Sequence, residues 1–196
     1  MNKIAVIIGS TRQGRFADKP AQWIAGKLAE RPDVEVEILD LRDFPLPFFE
    51  DSVAPARRAG APIADPVIRA WSEAVERADA YVILAAEYNH GYTAVLKNAI
   101  DHLYDEWGRK PVAFVGYGAV NGARAIEQLR QVAIELDMVP IKRSVSVPTS
   151  QLARFILEGA TDLDFSEADG AAESMIDDLL WWTSALAAAR QDALVA

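Results

Sequence analysis

The segment Gly9-Ser10-Thr11-Arg12-Gln13-Gly14-Arg15-Phe16 concentrates groups that bind anions. It joins a short apolar run, Ile4–Ile8, to a stretch with helical spacing. Free backbone N–H groups and the helix dipole would therefore face one point. Ser10 and Thr11 add hydroxyl donors, and Arg12 and Arg15 add forked, permanently charged donors suited to phosphate. Two related patterns fail. Gly9 and Gly14 have the spacing that begins a P-loop, but Arg15-Phe16 replaces Lys-Ser/Thr, removing the lysine and the magnesium hydroxyl. The G-x-G-x-x-G fingerprint fails because Thr11 stands at the second glycine. The loop reads as a monophosphate cradle; the plainer alternative is a tight glycine turn with solvated arginines.

Two more loops carry useful groups. Glu87-Tyr88-Asn89-His90-Gly91 follows the apolar run Ala80–Ala86, and its amides and Tyr88 would border a flat aromatic ligand. Packing of Tyr88 against its own loop is the alternative, and His90 reads as a solvent-facing turn residue rather than an acid or base. Gly116-Tyr117-Gly118 lets backbone approach a planar ligand closely, although a sharp strand-to-helix turn has the same composition. There is no cysteine, and the two histidines, His90 and His102, form no H-E-x-x-H pattern. No catalytic side chain and no metal site are expected. Redox chemistry, if present, would be carried by a cofactor.

The elements that must hold these loops alternate. Ile4–Ile8, Ala80–Ala86 and Val112–Val115 are continuous apolar runs, as in strands buried on both faces. Val34–Ile38 and Ser144–Val147 alternate, as half-exposed edge strands do. Helical stripes follow each: Phe16 to Leu28, Pro66–Ala78, Thr93–Trp107, Ile126 to Leu136 and Ser166–Leu194. Pro20 is tolerable because it falls in a first turn. Five strand–helix units imply an α/β, three-layer, doubly wound five-stranded parallel sheet. Placing the alternating strands at the edges gives the flavodoxin-like order 2-1-3-4-5. Ligands of such a sheet sit at the carboxyl ends between the first and third strands, where all three loops open. Asp40–Pro66, with five prolines and no period, is unusually long for a structureless connection and reads as functional or disordered.

The chain's 196 residues suit one domain, 1–196, able to bury a full core. Twenty Lys+Arg against 29 Asp+Glu give a net charge of −9, which speaks against nucleic acid. The five-residue run after Met1-Asn2-Lys3 is too short for a signal or spanning segment, so a cytoplasmic location without membrane contact is expected.

Together the loops resemble the NADPH-dependent FMN reductase family of flavodoxin-like proteins, which includes quinone, azo-dye and chromate reductases. Gly9-Ser10-Thr11-Arg12…Gly14, Glu87-Tyr88-Asn89 running into Leu96-Lys97-Asn98-Ala99-Ile100-Asp101, Lys110-Pro111 and Gly116–Arg124 carry the resemblance. Ala86 and Thr93 stand where the family often has proline, and Gly91 where it has a small polar residue. The resemblance implies non-covalent FMN, with NADPH or NADH as hydride donor and a small acceptor: a quinone, azo compound, metal oxyanion or free flavin. Ser10, Thr11, Arg12, Gly14, Arg15 and Phe16 would surround the phosphate. Glu87, Tyr88, Asn89, His90, Gly116, Tyr117 and Gly118 would border the isoalloxazine. A homodimer or homotetramer is implied, using the helix after the Glu-Tyr-Asn loop. Leu103, Tyr104 and Trp107 near its end are either interface or core. The aromatic loop around Phe48 would wall a pocket or meet a neighbouring subunit. Two other readings are a flavodoxin-type electron carrier, which the acidity suits, and a flavin-free protein for a phosphate ligand.

Overall fold

The computed structural model describes residues 1–58 and 60–195. Five parallel strands form one sheet in the order β2-β1-β3-β4-β5. β1 (Asn2–Ile8), β3 (Ala80–Ala86) and β4 (Pro111–Tyr117) are central, and β3 and β4 are buried along their whole length. β2 (Val34–Asp40) and β5 (Val139–Ser146) are the edges, where Glu35, Glu37, Lys142 and Arg143 stay in solvent. The run types had required this arrangement.

Alternation along the strands builds two cores. Ile4, Val6 and Ile8 share one with Ile24 and Leu28 of α1 (Asp18–Ala29) and with Met175 and Ile176 of α6 (Asp169–Val195). Ala5 and Ile7 share the other with Trp71 of α2 (Pro66–Arg77), Ile100 of α3 (Ala94–Asp101) and Leu129 of α4 (Ala123–Glu135). Each large aliphatic side chain buried in this way contributes roughly 1.5–3 kcal/mol. Helices therefore cover both faces, and the loops at the strands' carboxyl ends are left to form a site. Pro20 is the third residue of α1, in its first turn. α2 opens on Asp65, whose carboxylate accepts from Val67 N (2.7 Å) and Ile68 N (3.0 Å).

The helix expected over Thr93–Trp107 is shorter. α3 ends at Asp101, and Asp105–Trp107 resumes only as a single 3-10 turn. Trp107 explains the break. Its ring is fully buried, 4.9 Å from Tyr81 and 6.0 Å from Trp71 between centroids, and its indole N–H donates to Ile100 O at 3.3 Å. The chain must leave the helix to seat it. Leu103 is buried as well, so these two residues belong to the core. The long helix begins at Asp169, after a separate 3-10 turn at Ser166–Ala168. The Asp40–Pro66 stretch, of which Ala59 lies outside the described residues, has one 3-10 turn, Pro55–Arg57.

After β5 the chain makes a short helix, α5 (Thr149–Ala153), and a π-helical turn over Arg154–Glu158. No periodic stripe announces either.

Candidate active site

The loops after β1 and β3 are tied together below the surface. Thr93 caps α3 by accepting Leu96 N at 3.2 Å, while its hydroxyl donates to the carbonyl of Gly9. Ser10 is buried, and its hydroxyl shares a 2.8 Å hydrogen bond with that of Tyr88. The end of β1 is thus fastened to the loop after β3 by two hydroxyls. Tyr88 and Gly91 exchange backbone bonds (2.8 and 3.0 Å) across Asn89 (φ 49°) and His90 (φ 70°). This is a tight turn with two left-handed residues, a conformation that Asn and His adopt more readily than most. It points both side chains into solvent.

Arg12 and Arg15 diverge. Arg12 is exposed, its guanidinium 5.6 Å from the centre of the Tyr88 ring. Arg15 is buried. It donates to Ser10 O (2.5 Å) and Asp40 Oδ1 (2.7 Å), and its Nε donates to Asp18 Oδ1 (2.7 Å). Burial works against its charge, but the bonds it donates to Asp40 and Asp18 hold its pKa above the ordinary value. Arg15 is therefore a brace under the loop, with its donors already engaged by protein.

Glu87 is also engaged. Its side chain is almost fully buried, and its carboxylate accepts from Arg124 N (3.1 Å) and Arg124 Nε (2.7 Å) at the start of α4. Gly118, at φ 144°, lies against it, and a Cβ there would sit 2.9 Å from Glu87 Cβ. Only glycine suits that backbone. Gly116 answers a different need, since a Cβ would lie 2.4 Å from Asn121 O within the turn to α4.

These loops enclose a cavity of about 360 Å³, within the roughly 300–1,000 Å³ of small-molecule sites. Arg12, Gly14, Arg15, Phe16, Glu87, Tyr88, Tyr117 and Gly118 line it, together with Ala119. Ser10, Thr11, Asn89, His90 and Gly116 do not line it; they support its walls or face solvent. Leu152, Phe155 and Ile156, from α5 and the π-turn, complete it. Sequence reasoning missed these three because no period marks so short an element. Tyr117 lines the cavity, but its hydroxyl is closed off from the open space. Its hydroxyl is buried and has no hydrogen-bond partner among the described residues. Burial, with Tyr88 adding to it, pushes its pKa well up, so it stays protonated. Its ring packs on Phe16, 5.4 Å away between centroids. Among the described residues no cluster of three or more His, Asp or Glu could hold a metal ion, and no helix is long and apolar enough to cross a membrane.

The comparisons with known proteins agree with this geometry. The profile of the NADPH-dependent FMN reductase family matches residues 2–152. An NAD(P)H-dependent FMN reductase of a Nectria species is 37% identical over 173 residues, covering 87% of this chain and 83% of that protein. One from Schizosaccharomyces pombe is 31% identical over 162 residues, covering 82% and 80%. Among solved structures, the flavoenzyme NAD(P)H:(acceptor) oxidoreductase of Paracoccus denitrificans superposes with a TM-score of 0.69 at 23% identity, covering 94% of this chain and 98% of that one. That likeness speaks for the shared fold. The span of the family match and the identity to these reductases establish that the chain belongs to the NADPH-dependent FMN reductase family of oxidoreductases.

Proposed function

We propose that this chain, as one FMN-binding domain, holds FMN in the cavity at the β1–β3 switch point and passes reducing equivalents from NAD(P)H to a small acceptor. The observation that carries the reading is the cavity itself, lined by the exposed Arg12 from the loop after β1 and by Tyr88, Tyr117 and Gly118 from the loops after β3 and β4. The residues present suit that group. The amides of Thr11, Arg12 and Gln13 donate to no protein atom among the described residues, and they precede the N-terminus of α1, so they suit an anion. Arg12 adds charge. Tyr117 lines the space, and Gly118 leaves its backbone open to a flat ring.

Bound FMN supplies the two-electron chemistry between a nicotinamide and an acceptor. The chain's part is positional. Thr11, Arg12 and Gly14 hold the phosphate, with Ser10 and Arg15 bracing the loop from below. Tyr88 and the Glu87–His90 and Gly116–Gly118 backbones border the ring. The Glu87–Arg124 pair fixes the distance between those two loops. Phe16, Tyr117 and Phe155 keep the floor dry. No side chain has to act as a nucleophile. The reading includes a homodimer or homotetramer, and a cytoplasmic location where NAD(P)H is at hand. Quinones, azo compounds, metal oxyanions and free flavin are the acceptor classes.

The test is the visible spectrum of the purified protein with added FMN, before and after NADPH, without oxygen. The expected outcome is a protein-bound flavin spectrum that NADPH bleaches. A bound flavin that NADPH leaves oxidised would select an electron carrier, and no bound flavin would refute the site.

A further inference from the structure

We propose that Ile156, backed by Leu152 and Phe155, determines acceptor specificity, favouring flat, uncharged acceptors of the quinone class over hydrophilic anions. The inference rests on the reading of the cavity as the flavin site. Phe155 and Ile156 lie beyond the residues matched by the family profile, which end at 152. The profile match therefore says nothing of this part of the wall.

The side chains around the cavity divide by character. Glu87 is turned to Arg124, and Arg15 to Asp18 and Asp40. Ser10 and Tyr88 satisfy one another. The side chains left to line the space, apart from Arg12, are mainly apolar: Phe16, Leu152, Phe155 and Ile156. Ile156 stands at the mouth, lining the cavity while 65% exposed. An aliphatic side chain with water on one side and a cavity on the other gains from contact with an apolar molecule and offers nothing to a hydrated anion.

Its position is fixed. Phe155 packs edge-on against Phe16 at 5.5 Å. Arg154 reaches Asp162 (3.4 Å) and Glu158 (3.8 Å), and Asp164 N donates to Gln151 Oε1 at 3.0 Å. The π-turn over Arg154–Glu158 ends at Gly159 with φ 67°. Such turns recur where a helix presents a functional side chain.

The experiment compares the FMN-loaded wild type with Ile156→Lys, Ile156→Val and Leu157→Lys. Leu157 is 81% exposed and does not line the cavity. Acceptors are 1,4-naphthoquinone and ferricyanide. Ile156→Lys should lower kcat/KM for the quinone about tenfold, leave ferricyanide unchanged or faster, and weaken calorimetric binding of 2-naphthol, which takes no electrons, by a similar factor. Ile156→Val and Leu157→Lys should shift the acceptor ratio less than about twofold. The FMN dissociation constant, read by flavin fluorescence, should stay within about threefold throughout. An unchanged ratio in Ile156→Lys, equal shifts in Ile156→Lys and Leu157→Lys, or a shift that follows a change in assembly by light scattering overturns the proposal while leaving the flavin site standing. A wild type that binds no FMN removes both.

Discussion

Tyr117 is the residue whose environment makes the sharpest demand. A buried hydroxyl without a partner costs about 1–3 kcal/mol in the free protein, and this one is closed off from the cavity that its residue lines. If bound FMN satisfies it, one substitution should act with opposite sign on two measurements. Tyr117→Phe should leave the flavin-free protein as stable as before or more stable by about 1 kcal/mol, read by urea unfolding. The same variant should bind FMN several-fold more weakly. Equal FMN affinity would mean that the hydroxyl meets nothing on binding. Arg12 and Arg15 teach a related lesson. In sequence they are equivalent cations three residues apart, both suited to phosphate. The structure separates them through Asp40, 25 residues from Arg15 along the chain, and local spacing carries no trace of such a partner.

Elements with strong periodicity were legible. Three unbroken apolar runs and two alternating ones put β2 and β5 at the edges, and the flavodoxin-like order that meets this condition is the one observed. The loops at the strand ends followed from that order. What was not legible is whatever long-range packing decides: Trp107 cuts α3 short, and the wall made by α5 and its π-turn has too few residues for a stripe. Asp40 shows how one such contact couples elements, since it joins the end of β2 to the loop after β1 through Arg15. Burial opposes its charge, but the bonds from Arg15 and Arg42 N hold its pKa below the ordinary value. A depressed carboxylate pKa gives stability that is full above about pH 4, its unfolded value, and lost as pH falls through the folded one. Asp40→Asn should therefore cost about 1–3 kcal/mol at pH 7. Urea unfolding at pH 7 and at pH 3 should show a smaller gap to wild type at pH 3. A gap of the same size at both pH values would assign the loss to packing rather than charge.

Across the whole molecule the least expected feature is Phe48, 81% exposed between two residues that are pinned. Pro47 O accepts from Asn98 Nδ2 (2.8 Å) and His102 Nε2 (2.9 Å), and Phe49 N donates to Asn98 Oδ1 (2.9 Å). The Phe49 ring packs edge-on to His102 at 5.6 Å. The residues on either side of Phe48 are thus already ordered by α3, the helix through which the family resemblance implied assembly. An aromatic presented on an ordered loop loses little freedom when a partner covers it, which is the condition for a large binding contribution. Within the proposed homodimer or homotetramer the partner is a second copy. Two copies of net charge −9 repel at long range, so association should strengthen as salt screens that repulsion. Sedimentation velocity over a range of protein and salt concentrations tests both statements. The wild type should form the larger species more readily at 0.3 M than at 0.03 M salt. Phe48→Ser should raise the dissociation constant by at least about 30-fold, the equivalent of losing about 2 kcal/mol, with unchanged FMN affinity because Phe48 does not line the cavity. Identical sedimentation of Phe48→Ser and wild type would leave the loop a wall of its own subunit and place the contact between copies elsewhere.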